Sequence, residues 1–371
     1  MINLNTKTYQ SILSAMLDRI PDTYDKRDTS PIPTALGPAA WALEGFYVVL
    51  NSVQGQAFIQ TATGENLENL AVIANLTRKD ATPSVRLGVF NMPVPIGARF
   101  STINGADSIN FTVTAGTGIP NQYELTADAP GSAGNDYTGP ILPITSIPGL
   151  ISASITSILI PGEDTEEDDA FRQRIISALR EPGYGGNIAN YRTWLEAING
   201  VGPAQIWPVW NGGGTVKLSI LGADLLPASS QLISNVQNTI DPPPHQGLGL
   251  GLAPIGATVT VVAPTTVSVA VSATIALSAG YTIDQVRIPI SNALDAYLKS
   301  VREKWGTSIS TSSVLYNADV YISRVTAAIL TVAGVLNVTG VALNGAAEDL
   351  ILVENGATQQ IPILGAVTLN E

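Results

Sequence analysis

PGYGGNIANYRTWLEAINGVGPAQIWPVWNGGGTVKLSI, residues 182–220, sets one cluster of glycines before a helical pattern and another before a strand. Ile188, Tyr191, Leu195 and Ile198 share a helical face, and Asn199-Gly200 suits the left-handed turn that ends such a helix. AQIWPVW then alternates, with Ile206, Pro208 and Trp210 facing one way and Trp207 and Val209 the other. TVKLSIL repeats the pattern, with Val216, Leu218 and Ile220 opposite Thr215, Lys217 and Ser219. Two such strands around Asn211-Gly212-Gly213-Gly214 predict a β-hairpin. A helix over 229–240 and the stop DPPP complete a small α+β unit.

The glycines raise the question of a phosphate loop, which needs a strand leading into G-x-G-x-x-G, or a Lys followed by Ser or Thr. Here Gly183, Gly185 and Gly186 follow a helix and a proline, and no Lys-Ser or Lys-Thr pair accompanies them. They are expected to form a helix-to-helix corner, with Asn187 or Asn190 capping the second helix.

Upstream, EDTEEDDAFRQRIISALREPG (163–183) predicts a helix with Thr165 and Asp168 as a capping pair, acidic residues at its positive end and Arg180 at the other. Its acidic run lacks the alternation and central glycine of a calcium loop, so a charged helix start is the expected reading. Residues 84–160 carry short strands such as VRLGVF, ARFST, NFTVT and YELTA between Gly, Pro and Asn turns, which predicts a compact antiparallel β domain closed at Pro161-Gly162. Residues 7–80 read as three helical pieces. After 262 the order is strand (265–277), helix (283–301), helix (312–330), then strands near 335–341, 349–353 and 361–369.

The fold class expected is therefore α+β and multidomain: a helical N-terminal arm (1–83), an antiparallel β domain (84–162), and two small α+β domains (163–262 and 263–371). Hinges are expected at Pro161, Gly162, Pro242, Pro243 and Pro244, and also near 79–84.

Composition removes most chemistry. Charged residues are 13% of the 371, against about 25% in an average soluble protein. The net charge is −12 with scattered Lys and Arg, which argues against nucleic-acid binding. There is no Cys and a single His, His245, in a proline-rich turn. Thiol catalysis, zinc sites of the usual kind and disulfides are thereby excluded or starved of ligands. The N-terminus has no basic leader followed by an apolar core, so synthesis in a cytoplasm is expected. The 42 residues 242–283 hold no Asp, Glu, Lys or Arg, yet their period-two alternation and Pro264 predict strands rather than a membrane helix. No catalytic, cofactor or metal residue is assigned. Trp207 and Trp210 are the candidate interface residues, as core plus protein contact rather than as a sugar platform.

PGEDTEEDDAFRQRI, GYGGNIANYRTWLEAINGVGPAQIWPVWNGGGTVKLSIL and IDPPPHQGLGLGLAPIGATVTV, in that order and spacing, resemble the baseplate J-like proteins of contractile phage tails. ILSAMLDRIPDTYDKRDTSPIPTALGPAAWALE and PIGARF resemble the form found in phages, prophages and tailocins of Gram-positive bacteria. The resemblance implies a structural, non-enzymatic wedge component of a baseplate in a virion or phage-tail-like contractile injection particle, made in the bacterial host cytoplasm. It implies pairing with a second copy in a sixfold ring. It also implies contacts with hub, sheath-initiating and fibre-connecting proteins, and rearrangement that triggers sheath contraction. Competing expectations are a tail-associated cell-wall hydrolase, from the many unassigned carboxylates, and a receptor-binding tail protein, from an exposed tryptophan.

Overall fold

A computed structural model describes residues 4–180, 184–310 and 313–371. The chain divides into two compact units: one holds residues 1–79 with 166–182, the other 80–165 with 183–371.

The first unit is helical: α1 (Tyr9–Leu17), α2 (Pro31–Gln56), α3 (Gly64–Ala71) and α4 (Asp168–Arg180). α2 starts where Ser30 turns extended backbone into helix and Pro31 takes a first-turn position, where its missing N–H leaves nothing unsatisfied. α4, read from sequence as the opening of the middle domain, packs Phe171 and Ile175 against Ala62, Leu67 and Ala71. Charge fixes that docking. Asp168 accepts from Gly64 N (3.0 Å) at the start of α3 and from Arg78 Nη2 (2.6 Å). The Arg78 and Arg174 guanidinium groups lie over the Phe171 ring at 5.0 and 5.1 Å. The acidic residues at the start of α4 therefore bind the N-terminal segment as well as decorating their own helix end.

The second unit begins with a closed antiparallel barrel. Its strands are β1 (Val85–Phe90), β2 (Arg99–Thr102), β3 (Asn110–Gly116), β4 (Gln122–Ala127), β5 (Gly139–Pro143) and β6 (Ala153–Ile160), in the order β1-β4-β3-β2-β5-β6. Alternation along β1 buries every second residue, and Phe90, Phe100, Phe111 and Leu125 fill the interior. Arg86 is buried and donates to the carbonyls of Gly134, Asn135 and Tyr137, so its charge ties a loop to the wall.

Next comes a sheet of order β7-β8-β9 with two helices: α5 (Ile188–Glu196), β7 (Val201–Pro208), β8 (Thr215–Gly222), α6 (Ser230–Ile240) and β9 (Thr258–Val262). β7 and β8 form the predicted hairpin, and α6 carries the chain to β9, parallel to β8. Tyr191, Leu195, Leu232 and Val236 of the helices cover Ile206, Leu218 and Ile220 of the sheet.

The last module contains β10 (Thr265–Leu277), α7 (Ile283–Lys304), α8 (Ile322–Leu330), β11 (Val335–Leu343) and β12 (Gln360–Asn370), with β10 central. Val286, Ile290, Leu294 and Leu298, spaced at helical intervals, bury one face of α7 on this sheet.

Two expectations need correction here. The helix expected from 312 starts at Ile322; Ser312 lies outside the described residues. Side chains take the backbone groups that a longer helix needs: Asp319 N donates to Asn317 Oδ1 (2.7 Å), and Asp349 Oδ1 accepts from Ile322 N (2.7 Å). The strand expected at 349–353 is reduced to one bridge, Val320 with Leu350, because Leu352 N donates to Asp319 instead.

Candidate functional site

The glycine corner is filled by its own asparagines. Asn187 Oδ1 accepts from Asn190 N (2.8 Å), and Asn190 Oδ1 accepts from Gly186 N (3.1 Å). Two amides of the corner, Gly186 N and Asn190 N, are thus engaged by side chains. Gly183 lies outside the described residues. Gly186 adopts φ +83° against Pro254, where a Cβ would meet the proline ring at 2.6 Å, so the corner and the proline-glycine loop 242–256 lie together. In the hairpin turn, Gly214 O accepts from Thr258 N (2.8 Å) at the start of β9. The three glycine-bearing motifs thereby meet at one end of the middle module.

The acidic run disperses. Glu163 Oε1 accepts from Gly200 N (2.6 Å), Asp164 from Ser132 N (2.8 Å) and Glu166 from Arg174 Nη2 (2.6 Å). Burial would raise the Glu166 carboxyl, but Arg174 and the Lys79 amide hold it below the ordinary range. Among the described residues no group of three His, Asp or Glu side chains could hold a metal, and no helix is long and apolar enough to cross a membrane. His245 is exposed.

Trp207 and Trp210 line an internal seam between the middle and C-terminal modules. β7 is covered on both faces, so Ile206 packs under the helices while Trp207 packs edge-on against Tyr316 at 5.1 Å. The expected alternation ends at Val209, whose φ of +57° breaks the strand. Trp210 then carries the Lys217 ammonium over its ring at 4.0 Å. Lys217 Nζ also donates to Ala357 O (3.1 Å), and burial pushes its pKa down.

Polar groups knit the same seam. Gln205 Nε2 donates to Trp305 O (3.1 Å) and its Oε1 accepts from Trp207 Nε1 (3.1 Å). The Tyr316 hydroxyl bonds to the backbone of Ile206. Trp305, fully buried, donates Nε1 to Glu354 Oε1 (3.1 Å) and to Gln360 O (3.0 Å). Burial, followed by the negative Asp319, raises Glu354 to about 7 against the pull of Gln205, Trp305 and Gln360. Sequence reading did not bring Gln205, Lys217, Trp305, Tyr316 and Glu354 together as a group.

At the expected hinges, Pro161 and Gly162 are buried, and Asn135 bonds both the N–H (2.8 Å) and the C=O (2.9 Å) of Gly162. Pro242, Pro243 and Pro244 open a loop that Asp241 pins by accepting from Gly247 N (3.0 Å) and Val259 N (2.8 Å). The loop exposes Leu248, Leu250 and Ile255, the last at 84%.

A surface of another kind lies on α2. Of its large apolar side chains, Trp41 (71% exposed), Phe46 (61%), Val48, Val49 and Val53 face outward, and Glu44 is the one charged residue between Pro31 and Gln56.

Comparison with known proteins adds the following. The Baseplate J-like central domain matches residues 183–263, and the Baseplate J-like protein C-terminal domain matches 269–370. The chain is 37% identical over 372 residues to the uncharacterized protein YqbT of Bacillus subtilis (strain 168), with 98% of each chain covered. It is 35% identical over 370 residues to the phage-like element PBSX protein XkdT of the same organism, again with 98% of each covered. Baseplate protein gp47 of Escherichia phage Mu is 26% identical over 210 residues, 55% of this chain and 58% of that protein.

Proposed function

The chain belongs to the baseplate J-like family of structural proteins in phage or phage-like tail particles, and we propose that within that family it serves as a wedge component of a contractile tail. In this role it pairs with a second copy in a ring around the hub and contacts the sheath-initiating and fibre-connecting proteins. Its rearrangement frees the sheath to contract.

One observation supports the reading above the others: the apolar face that α2 leaves open. A 26-residue helix is about 39 Å long, and exposed apolar surface on that scale marks an interaction site. The low charge of the chain fits an assembly part whose surface is largely covered by neighbours.

Deleting the gene and imaging the lysate tests the role. The expected result is loss of intact baseplates and contractile tails; normal particles from the deletion would refute it. Complementation with a Trp41→Asp, Phe46→Asp double variant tests the carrying observation. The chain is expected to be made, and its incorporation into particles lost.

A further inference from the structure

We propose that Glu354 is a proton-operated latch in the seam between the middle and C-terminal modules: as a neutral acid it holds the seam closed, and on ionising it loosens it. The inference concerns the chain alone and does not rest on its role in a baseplate.

The two carboxyl oxygens have different surroundings. Oε1 accepts from Trp305 Nε1 (3.1 Å) and Gln360 N (3.1 Å), Oε2 is buried and makes no hydrogen bond of normal geometry, and the Gln205 amide across the seam is the neighbour that favours the charged form. An acid proton on Oε2 leaves a neutral group with a satisfied acceptor. An ionised carboxylate there would be a charge lacking a counter-charge, the costlier state.

The charge that acts on it comes from Asp319 and is negative, while the cations and hydroxyl of the seam are directed at other groups. Lys217 on β8 is spent on Ala357 O and the Trp210 ring. Arg302 on α7 donates to Pro362 O (2.8 Å). Tyr316 is in mutual hydrogen bonding with Ile206, and Asp319 adds negative charge. Burial first, then Asp319, move Glu354 up to about 7, inside the range a cell or its surroundings can reach.

Ionisation is relieved most readily by water at Oε2. Admitting it parts the Gln205 side of the seam from the Trp305 side, where the bond between Gln205 Nε2 and Trp305 O joins the two modules. The sign follows from linkage. A carboxyl raised from 4.5 to about 7 binds its proton more tightly in the closed state. The closed state is therefore favoured most at low pH and loses that advantage as pH rises through the interval. From pH 5 to pH 8 the opening equilibrium shifts by a factor on the order of 100.

The test is hydrogen exchange by mass spectrometry on the full chain from pH 5 to 8.5, corrected for intrinsic exchange, in peptides covering 201–208 and 350–361. In the wild type, protection in both peptides is expected to fall together, with a midpoint near neutral pH. Glu354→Gln, a permanent mimic of the neutral acid, is expected to hold protection flat. Asp319→Asn keeps an oxygen for Leu352 N but removes the negative neighbour, and should move the wild-type midpoint to lower pH. A Glu354→Gln profile that follows the wild type would overturn the latch. Should that variant fail to fold, wild-type protection that stays flat in both peptides from pH 5 to 8.5 overturns it equally.

Discussion

Replacing Gly162 by alanine separates a rigid junction from a flexible one at the point where the barrel ends. Its φ is not in the left-handed region, so backbone strain is not at issue; space is. A Cβ there would stand 2.7 Å from Ser84 N and 2.9 Å from Thr82 O, and would also overlap Gly131 O. All three are backbone atoms, so no side chain can swing aside. They are further tied together: Thr82 N donates to Glu163 O (2.8 Å), while Glu163 N and Gly131 N both donate to Thr82 O (3.1 and 3.0 Å). Making room means overpacking, about 1–3 kcal/mol, with the two Asn135 bonds to Gly162 stretched at about 1 kcal/mol each. The expected loss is about 3–5 kcal/mol, a fall in melting temperature of roughly 10 °C for a unit of this size. Calorimetry reads the shift, and hydrogen exchange in β1 and β6 assigns it to the barrel. Gly213→Ala is the control: its Cβ meets nothing within 4 Å, and stability should stay within about 0.5 kcal/mol of wild type. If Gly162→Ala melted with the control, the junction would yield freely and the packing argument would be wrong.

Other perturbations follow from the same contacts. A double-mutant cycle of Lys217→Met and Trp210→Leu should give a coupling of about 0.5–2 kcal/mol in urea unfolding, since the buried Lys217 ammonium sits 4.0 Å over the ring; coupling near zero would mean the pair is incidental. Arg174→Met leaves Glu166 without its cation and should cost about 2–3 kcal/mol in the helical unit at pH 7. Because Glu166 lies below its ordinary 4.5, the wild-type advantage is present above pH 4.5 and lost as the medium acidifies past it, so the two unfolding curves converge at low pH. Asn187→Ala should cost about 1 kcal/mol through the lost cap of α5, and calorimetric titration of either protein with inorganic phosphate should show no heat of binding.

Period and punctuation made much of this fold legible. β10 runs from Thr265 to Leu277 as its alternation predicts, and α7 starts at Ile283, where its apolar spacing begins. Ser229 caps α6 one residue before it, by accepting from Leu232 N. What failed did so for identifiable reasons. Leu315, Tyr316, Ala318 and Val320 satisfy either a helical or an extended reading, and hydrogen bonds accepted by the Asn317 and Asp319 side chains decide for the latter. The tryptophans were legible as a pair, but one residue at positive φ turned the predicted opposite faces into two contacts on one seam. Glu354 was not legible at all, because the Trp305 and Gln360 groups it accepts from meet it only in the folded chain. Sequence likewise shows that α2 is apolar; that its apolar residues remain uncovered is a property of the fold.

Proline and glycine density marks where a backbone can turn, and the structure separates that from where a contact can be exchanged. Beside Pro161-Gly162, backbone bonds join Thr82 to Glu163 and Gly131, and both ends of the Asn135 amide hold Gly162, so movement there breaks several bonds. In the loop after Pro242, the Asp241 carboxylate fixes both ends. The seam between the middle and C-terminal modules is different in kind. Much of its hydrogen bonding runs through side chains of Gln205, Lys217, Trp305 and Glu354, and each such donor or acceptor can be re-satisfied by water once exposed. Interfaces of that character resemble those between transient partners. The seam is therefore the cheaper place to yield, and the barrel junction the stiffer one.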